Sequence, residues 1–412
     1  MSRVRDSRAH AVRLLVLALV AAGVTGCGSH GSHPAEPTAI VAHAPSPFAD
    51  SPVEVDIRGL APGESVVLHA SWAAHRGGAW TSSVALRAGP GGSIRLRGVS
   101  GMRFLWSMRP TDSGSVICCF AAPIAGRNTV TLSVTSGGRQ LARTSLSRRI
   151  TPASVRVRYL TVAHDGMYGY EFAPAGDARR PGVLVFGGSE GGLGGVDAAG
   201  LLAAHGYPTL ALAYFKEPGL PSALERIPLE YFARALRVLR RQPDVDPAHL
   251  VVMGTSRGGE AALLIASTFP TLVHGAIALV PNVNIGSSPA GPAIPAWTYR
   301  GQALAPGTPI PLGRIDGPIM AVGGGLDNVW DSPLYVQEIQ QRLRDLHFRF
   351  SDTSLIYPQA GHDIGGPVPY LPQPIDQSFW GGTAAGEAAA KADLWPRILR
   401  YLSRLPQSPP KR

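Results

Sequence analysis

Leu250-Val251-Val252-Met253-Gly254-Thr255-Ser256-Arg257-Gly258-Gly259-Glu260-Ala261-Ala262-Leu263-Leu264-Ile265-Ala266 is the stretch on which the fold turns. Leu250 to Met253 predict a buried strand, Gly254 to Gly258 spell Gly-x-Ser-x-Gly, and Glu260 to Ser267 predict a helix. A serine between strand and helix sits on a tight turn, and glycine on either side relieves the crowding there. The motif by itself is weak, because 49 glycines in 412 residues make about half a match expected by chance.

A second match, Gly187-Gly188-Ser189-Glu190-Gly191, also comes after an apolar strand, Gly182-Val183-Leu184-Val185-Phe186. Its continuation, Gly191-Gly192-Leu193-Gly194-Gly195, cannot begin a helix at once. Only Ser256 has the strand–elbow–helix context of an α/β hydrolase, so Ser256 is the expected nucleophile. The earlier loop instead suits an oxyanion hole built from N–H groups near Gly188 and Ser189, with Arg257 N–H as the other donor. Its bland reading is a phosphate cradle, which no GxGxxG or Lys-Ser/Thr pattern supports.

A serine hydroxyl needs a base, and the base needs an orienting acid. Asp327 comes after the strand Ile319-Met320-Ala321-Val322 through Gly323-Gly324-Gly325-Leu326, at a strand's C-terminal end. Asp331, the nearest rival, reads as a helix N-cap before Ser332-Pro333. His362 lies in Ala360-Gly361-His362-Asp363, after Leu355-Ile356-Tyr357, whereas His347 reads as a helix-end residue. The chain order Ser256, Asp327, His362 is that of an α/β-hydrolase triad.

Working outward, residues 151–412 alternate strands with helices, among them Thr209–Ala213, Leu229–Arg240, Ile277–Val280, Val336–Leu346 and Ala384–Leu402. This predicts a mainly parallel sheet covered by helices on both faces. The Pro- and Gly-rich stretch 281–316 breaks the rhythm and suits a lid or wall over the site. Residues 48–150 show period-two alternation, as in Val53–Ile57, Val66–Ala70, Ser93–Leu96 and Asn128–Leu132, separated by turns, which predicts a β-sandwich.

Residues 1–26 carry Arg3, Arg5, Arg8 and Arg13, then an apolar run from Leu14 to Val24 too short to span a bilayer. Val24-Thr25-Gly26-Cys27 resembles a bacterial lipobox, which predicts a cleaved signal, a lipid on Cys27 and a flexible tether over 27–47. The expected location is the outer face of a bacterial cytoplasmic membrane, held by that anchor. The net charge of +10 is almost all scattered Arg, without a basic run or aromatic stripe, so no nucleic-acid partner is expected. Cys118 and Cys119 are adjacent, read as buried thiols, and no Cys/His spacing suits zinc; neither metal nor cofactor is expected.

With these residues in place the chain resembles the acyl-CoA thioesterase and bile acid-CoA:amino acid N-acyltransferase (BAAT) family. Trp106-Ser107-Met108-Arg109-Pro110 resembles that family's N-terminal signature. Phe186 to Leu193, Leu212-Ala213-Tyr214-Phe215, Leu229-Glu230-Tyr231-Phe232, Gly254 to Glu260 and Asp327-Asn328-Val329-Trp330 agree in the catalytic half. The resemblance implies an immunoglobulin-like domain before an α/β hydrolase, with Ser256, Asp327 and His362 in the catalytic roles. It also implies hydrolysis over transfer, because in the family serine goes with hydrolysis and cysteine with transfer to an amine. The expectation is a serine hydrolase of a small acyl thioester or carboxylic ester. The alternatives are transfer of the acyl group to an amine or hydroxyl, and a non-enzymatic surface-binding lipoprotein.

Overall fold

A computed structural model describes residues 37–73, 78–111, 120, 124, 128–176, 178–373 and 376–405. Residues 1–26, Cys27, Cys118 and Cys119 lie outside them, so the expectations for signal, lipid attachment and thiols concern residues not described.

In the N-terminal part both sheets are antiparallel, and two short helices, Gly98–Gly101 and Arg103–Trp106, lie between strands. One sheet has Ala39–His43, Glu54–Arg58 and Ile94–Leu96 in that order. The other runs Arg109–Pro110, Ala79–Arg87, Ser65–Ala73, Thr129–Ser136, Arg139–Ser147. Strict alternation in Ser65–Ala73 buries Val66, Leu68, Ala70 and Trp72 and leaves the intervening residues toward water. Trp72 pairs across the ladder with Trp80, and Phe120 packs on both rings. The tether expected over 27–47 is corrected at its end, because Ala39–His43 is a strand paired with Glu54–Arg58. Averaged over twenty residues the segment is polar and Pro-rich, which hides a five-residue Ala-Ile-Val-Ala-His run. That run buries Ile40 and takes its hydrogen bonds from a neighbouring edge.

The second part is built on an eight-stranded sheet in the order Asp352–Tyr357, Ile319–Gly324, Ala276–Leu279, Val245–Thr255, Arg180–Phe186, Thr209–Ala213, Tyr168–Ala173, Arg156–Leu160. Neighbours are parallel as far as Thr209–Ala213, and the last two pairings are antiparallel. Alternate residues of the central strands feed two different cores. Val183, Val185, Val251 and Met253 pack with the helices Val196–Ala204 and Ala384–Arg404 and with the core of the β part. Leu184, Phe186, Leu250 and Val252 pack with the helices Leu229–Arg240, Arg257–Thr268 and Ser332–Asp345. A sheet buried on both faces explains the unbroken apolar runs, each such side chain contributing about 1.5–3 kcal/mol.

The two parts are joined by polar contacts as well as by that shared core. Asp50 Oδ2 accepts from Trp395 Nε1 at 2.7 Å and meets His205 Nε2 at 2.5 Å. Within the β part, Arg148 is fully buried and donates to the carbonyls of Ser51 and Ala49; burial lowers its pKa to about 10, against the pull of Asp50. Among the described residues no helix is long and apolar enough to cross a membrane.

Candidate active site

Val245–Thr255 delivers the chain to Ser256, and a helix begins at the next residue, Arg257. Ser256 has φ 59° and ψ −120°, a conformation that a residue with a Cβ adopts only under constraint. Two glycines impose it. A Cβ on Gly254 would run into Gly258 O, and one on Gly258 would run into Gly187 O. The turn is that tight because strand and helix pack directly on each other. Ser256 N–H donates to Leu279 O at 2.8 Å, and the residue is 6% exposed.

His362 opens a single helical turn, His362–Gly365, after the strand Asp352–Tyr357. Its Nδ1 lies 2.8 Å from Asp327 Oδ2, and the Asp327 side chain is fully buried. Asp327 Oδ1 accepts from Val329 N at 2.9 Å and Trp330 N at 3.3 Å, so the carboxylate is held by its own loop while it faces the imidazole. The ring of His362 stacks on Trp380 at 5.8 Å and meets Trp330 edge-on at 5.4 Å. Thr255 Oγ1 donates to Gly365 O at 2.6 Å, which ties the elbow to the turn carrying His362. Asp331 accepts from Leu334 N as an N-cap and takes no part in the site.

The loop after Arg180–Phe186 lies against the elbow. A Cβ on Gly188 would stand 2.9 Å from Ser256 Cβ and 2.9 Å from Thr255 O. Tyr214 Oη, fully buried, reaches Gly187 O at 3.0 Å and Gly188 O at 2.9 Å and fixes the loop from below. The expected use of Gly188 N–H in an oxyanion hole is corrected for this state, because that N–H donates to Glu190 Oε1 at 2.8 Å. Glu190 as a residue is exposed, but its carboxylate folds back against its own loop and fills the space beside Gly187 and Gly194. Ser189 N–H and Arg257 N–H have no acceptor among the described residues.

Behind the elbow, Glu260 is fully buried. It pairs with Arg257 and accepts from Gly286 N and Trp297 Nε1, each at 2.7 Å, while Arg257 Nη2 donates to Ser287 O at 2.7 Å. Burial pushes the Glu260 carboxyl up, against the pull of Arg257 and the two N–H donors. This network pins the stretch 281–316 to the elbow helix as a wall. Behind His362, the helix Ala384–Arg404 grips the turn 362–365 on both flanks. Glu387 accepts from Gly361 N at 2.6 Å, and Lys391 pairs with Asp363. Burial raises the Glu387 pKa to about 8 although Lys391 pulls it down.

Trp330, Trp380, Glu190, Glu260, Glu387 and Lys391 all escape a reading for site residues. Glu260 carried a signal, as the only charge between Gly258 and Ile265 of an apolar helix. Glu387 and Lys391, four apart, read as an exposed pair. Among the described residues no group of three or more His, Cys, Asp or Glu is placed to hold a metal ion.

Comparisons place this geometry among known proteins. The family described as BAAT / acyl-CoA thioester hydrolase C terminal matches residues 227–289 and 293–406. The acyl-CoA thioester hydrolase/BAAT N-terminal region matches residues 50–162. Human mitochondrial acyl-coenzyme A thioesterase 2 is 27% identical over 414 residues, covering 85% of this chain and 81% of that protein. The peroxisomal succinyl-coenzyme A thioesterase of Mus musculus is 28% identical over 400 residues, covering 86% and 93%. A crystal structure of a putative dienelactone hydrolase from Klebsiella pneumoniae is 18% identical, with a TM-score of 0.44, over 61% of this chain and 99% of that one.

Proposed function

Because the chain belongs to the acyl-CoA thioester hydrolase/BAAT family, we propose that it is a thioester or ester hydrolase acting through an acyl-Ser256 intermediate. The observation that carries the mechanism is a strained serine at a helix start, tied through Thr255 to the turn that bears an Asp327-bonded His362. His362 Nε2 takes the Ser256 Oγ proton as Oγ bonds to the acyl carbon, and the carbonyl electron pair moves to oxygen. The N–H groups of Ser189 and Arg257, which meet no acceptor among the described residues, hold that oxyanion. Collapse expels the thiolate or alkoxide, which takes the proton from His362. Water, deprotonated by His362, then releases the acid. Asp327 keeps the imidazole in its working tautomer and offsets its positive charge.

An acyl group suits the mouth of the site. Phe379, 57% exposed, packs on Trp380, and Leu326 and Val329 are exposed on the Asp327 loop. The curated relatives are named for CoA thioesters; acyl-CoA and a carboxylic ester are the two substrate classes proposed here. Family membership also leads us to read the two N-terminal sheets as an immunoglobulin-like sandwich. The test is hydrolysis of acyl-CoA and p-nitrophenyl esters by the protein lacking residues 1–27, against Ser256→Ala. Near-wild-type turnover by the variant would overturn the mechanism. Product analysis with added amines separates hydrolysis from acyl transfer. The exported, lipid-anchored form rests on residues 1–27 alone. Cys27→Ser should lose an alkyne-fatty-acid label and leave the membrane fraction, and retention of both would refute the anchor.

A further inference from the structure

The proposal concerns Glu190 and rests on the oxyanion role just given to the loop it belongs to. Its Oε1 accepts from Gly188 N at 2.8 Å, in the loop that abuts Ser256. A Cβ on Gly188 would touch Ser256 Cβ at 2.9 Å and Glu190 Oε2 at 3.0 Å, so carboxylate and nucleophile border the same small space. A carboxylate there does two things to a tetrahedral intermediate. It holds a donor that the new oxyanion needs, and it sets a like charge beside it.

We propose that Glu190 controls the competence of the oxyanion loop: its carboxylate occupies the Gly188 donor at rest, and the site holds an oxyanion only after that carboxylate has taken up a proton. A swing of the side chain out of the loop is the other way to relieve the oxyanion, and it takes up no proton. The carboxylate lies against Gly187, Gly188 and Gly194, where the lack of a side chain leaves room for it. Protonation in place needs no such movement. It leaves a neutral carboxyl whose O–H donates and whose charge no longer opposes the oxyanion.

The surroundings raise the affinity of this carboxyl for a proton. Burial pushes the Glu190 carboxyl up, opposed by the Gly188 N–H, by His362 and by Lys216, whose Nζ reaches Glu190 O at 3.1 Å. Glu217, close to Gly192, and the buried Tyr214 are the other titratable groups facing the loop. When Ser256 attacks, its proton passes to His362, and that positive charge pulls against protonation of Glu190.

The test uses a peptide-free alkyl boronic acid, which adds Ser256 Oγ to form an anionic tetrahedral boronate while the Oγ proton moves to His362. Its affinity is measured for wild type and Glu190→Gln from about pH 5 to about pH 8, starting above the ordinary carboxyl range. Glutamine keeps the acceptor for Gly188 N–H and imitates the protonated acid. The ratio of affinities, variant over wild type, should be near one at the acid end and rise at least about tenfold at the alkaline end. A flat ratio, or one below unity, overturns the proposal. Calorimetry of the wild type in buffers of different ionisation enthalpy supplies a second reading that needs no variant. Boronate formation alone exchanges no proton with solvent, so uptake approaching one proton at the alkaline end supports Glu190 protonation and its absence overturns it. A fluorophosphonate that fails to label Ser256 in the wild type would refute the nucleophile assignment instead, and so marks the two failures apart.

Discussion

Two stretches of this chain spell Gly-x-Ser-x-Gly after an apolar strand, and they fold to different ends. At 254–258 the serine is buried at φ 59° and the next residue starts a helix of twelve. At 187–191 the serine is exposed and the helix waits until Val196. The glycines differ in purpose as well. Those of the elbow let a strand and a helix approach until backbone meets backbone. Those of the loop leave room for the Glu190 carboxylate and for Ser256 itself. The lesson is that the motif marks a close backbone approach, and the residues just after it decide which atom is presented. In one stretch a hydroxyl is presented, and in the other peptide N–H groups.

The sharpest way to break this comparison is to exchange the serines' fates. Ser256→Ala should lower kcat by at least about 10³-fold and abolish fluorophosphonate labelling, while Ser189→Ala, which keeps its backbone N–H, should stay within about threefold. Equal losses in a side-by-side rate assay would erase the distinction. Gly258→Ala tests the point where the regions touch, since its Cβ would strike Gly187 O. A loss of about 2–4 kcal/mol in urea unfolding is expected, with activity falling alongside. A variant as stable as wild type would mean that the contact gives way freely. Tyr214→Phe removes the hydroxyl that holds Gly187 O and Gly188 O, and should cost about 1 kcal/mol and several-fold in kcat with KM little changed. An altered KM with intact kcat would place the loop's role in binding.

A further effect concerns pH. Glu387, beneath the His362 turn, has its carboxyl raised to about 8. In this range the folded protein binds more protons than the unfolded chain, so Glu387 costs stability progressively as pH rises from about 4.5 toward 8. Wild type should lose a few degrees of Tm over that window relative to Glu387→Gln, as read by thermal melts across pH. Parallel curves would show that Lys391 keeps the carboxylate charged throughout.

Much of the scaffold was legible. The helix Leu229–Arg240 and the strand Thr209–Ala213 fall where apolar spacing puts them, because each is set by its own residues. Strand Ala39–His43 was not, since composition counts residues and pairing needs only a short run beside a willing edge. Nor were Arg156–Leu160 and Tyr168–Ala173, which close the large sheet in antiparallel fashion through a mixed, Tyr-rich pattern. At the site, the order Ser256, Asp327, His362 was readable from strand ends, and the 2.8 Å contact between the last two arises from neighbouring strands. The Gly188 loop was readable only in part, because a Gly188 N–H turned onto Glu190 depends on a side-chain fold-back with no sequence period.

By itself, then, the sequence determined what short-range physics controls: which runs are buried strands or helices, where glycine permits a tight turn, and in which order the reactive side chains arrive. Tertiary structure alone decided what long-range packing controls. It placed Trp330 and Trp380 on either side of His362, buried Glu260 with Arg257, and turned the Glu387 and Lys391 pair inward. The same carboxylate, ammonium or indole is a surface group or a site group according to the surface that packs over it. That surface comes from residues tens of positions away in the chain, where no local pattern reaches.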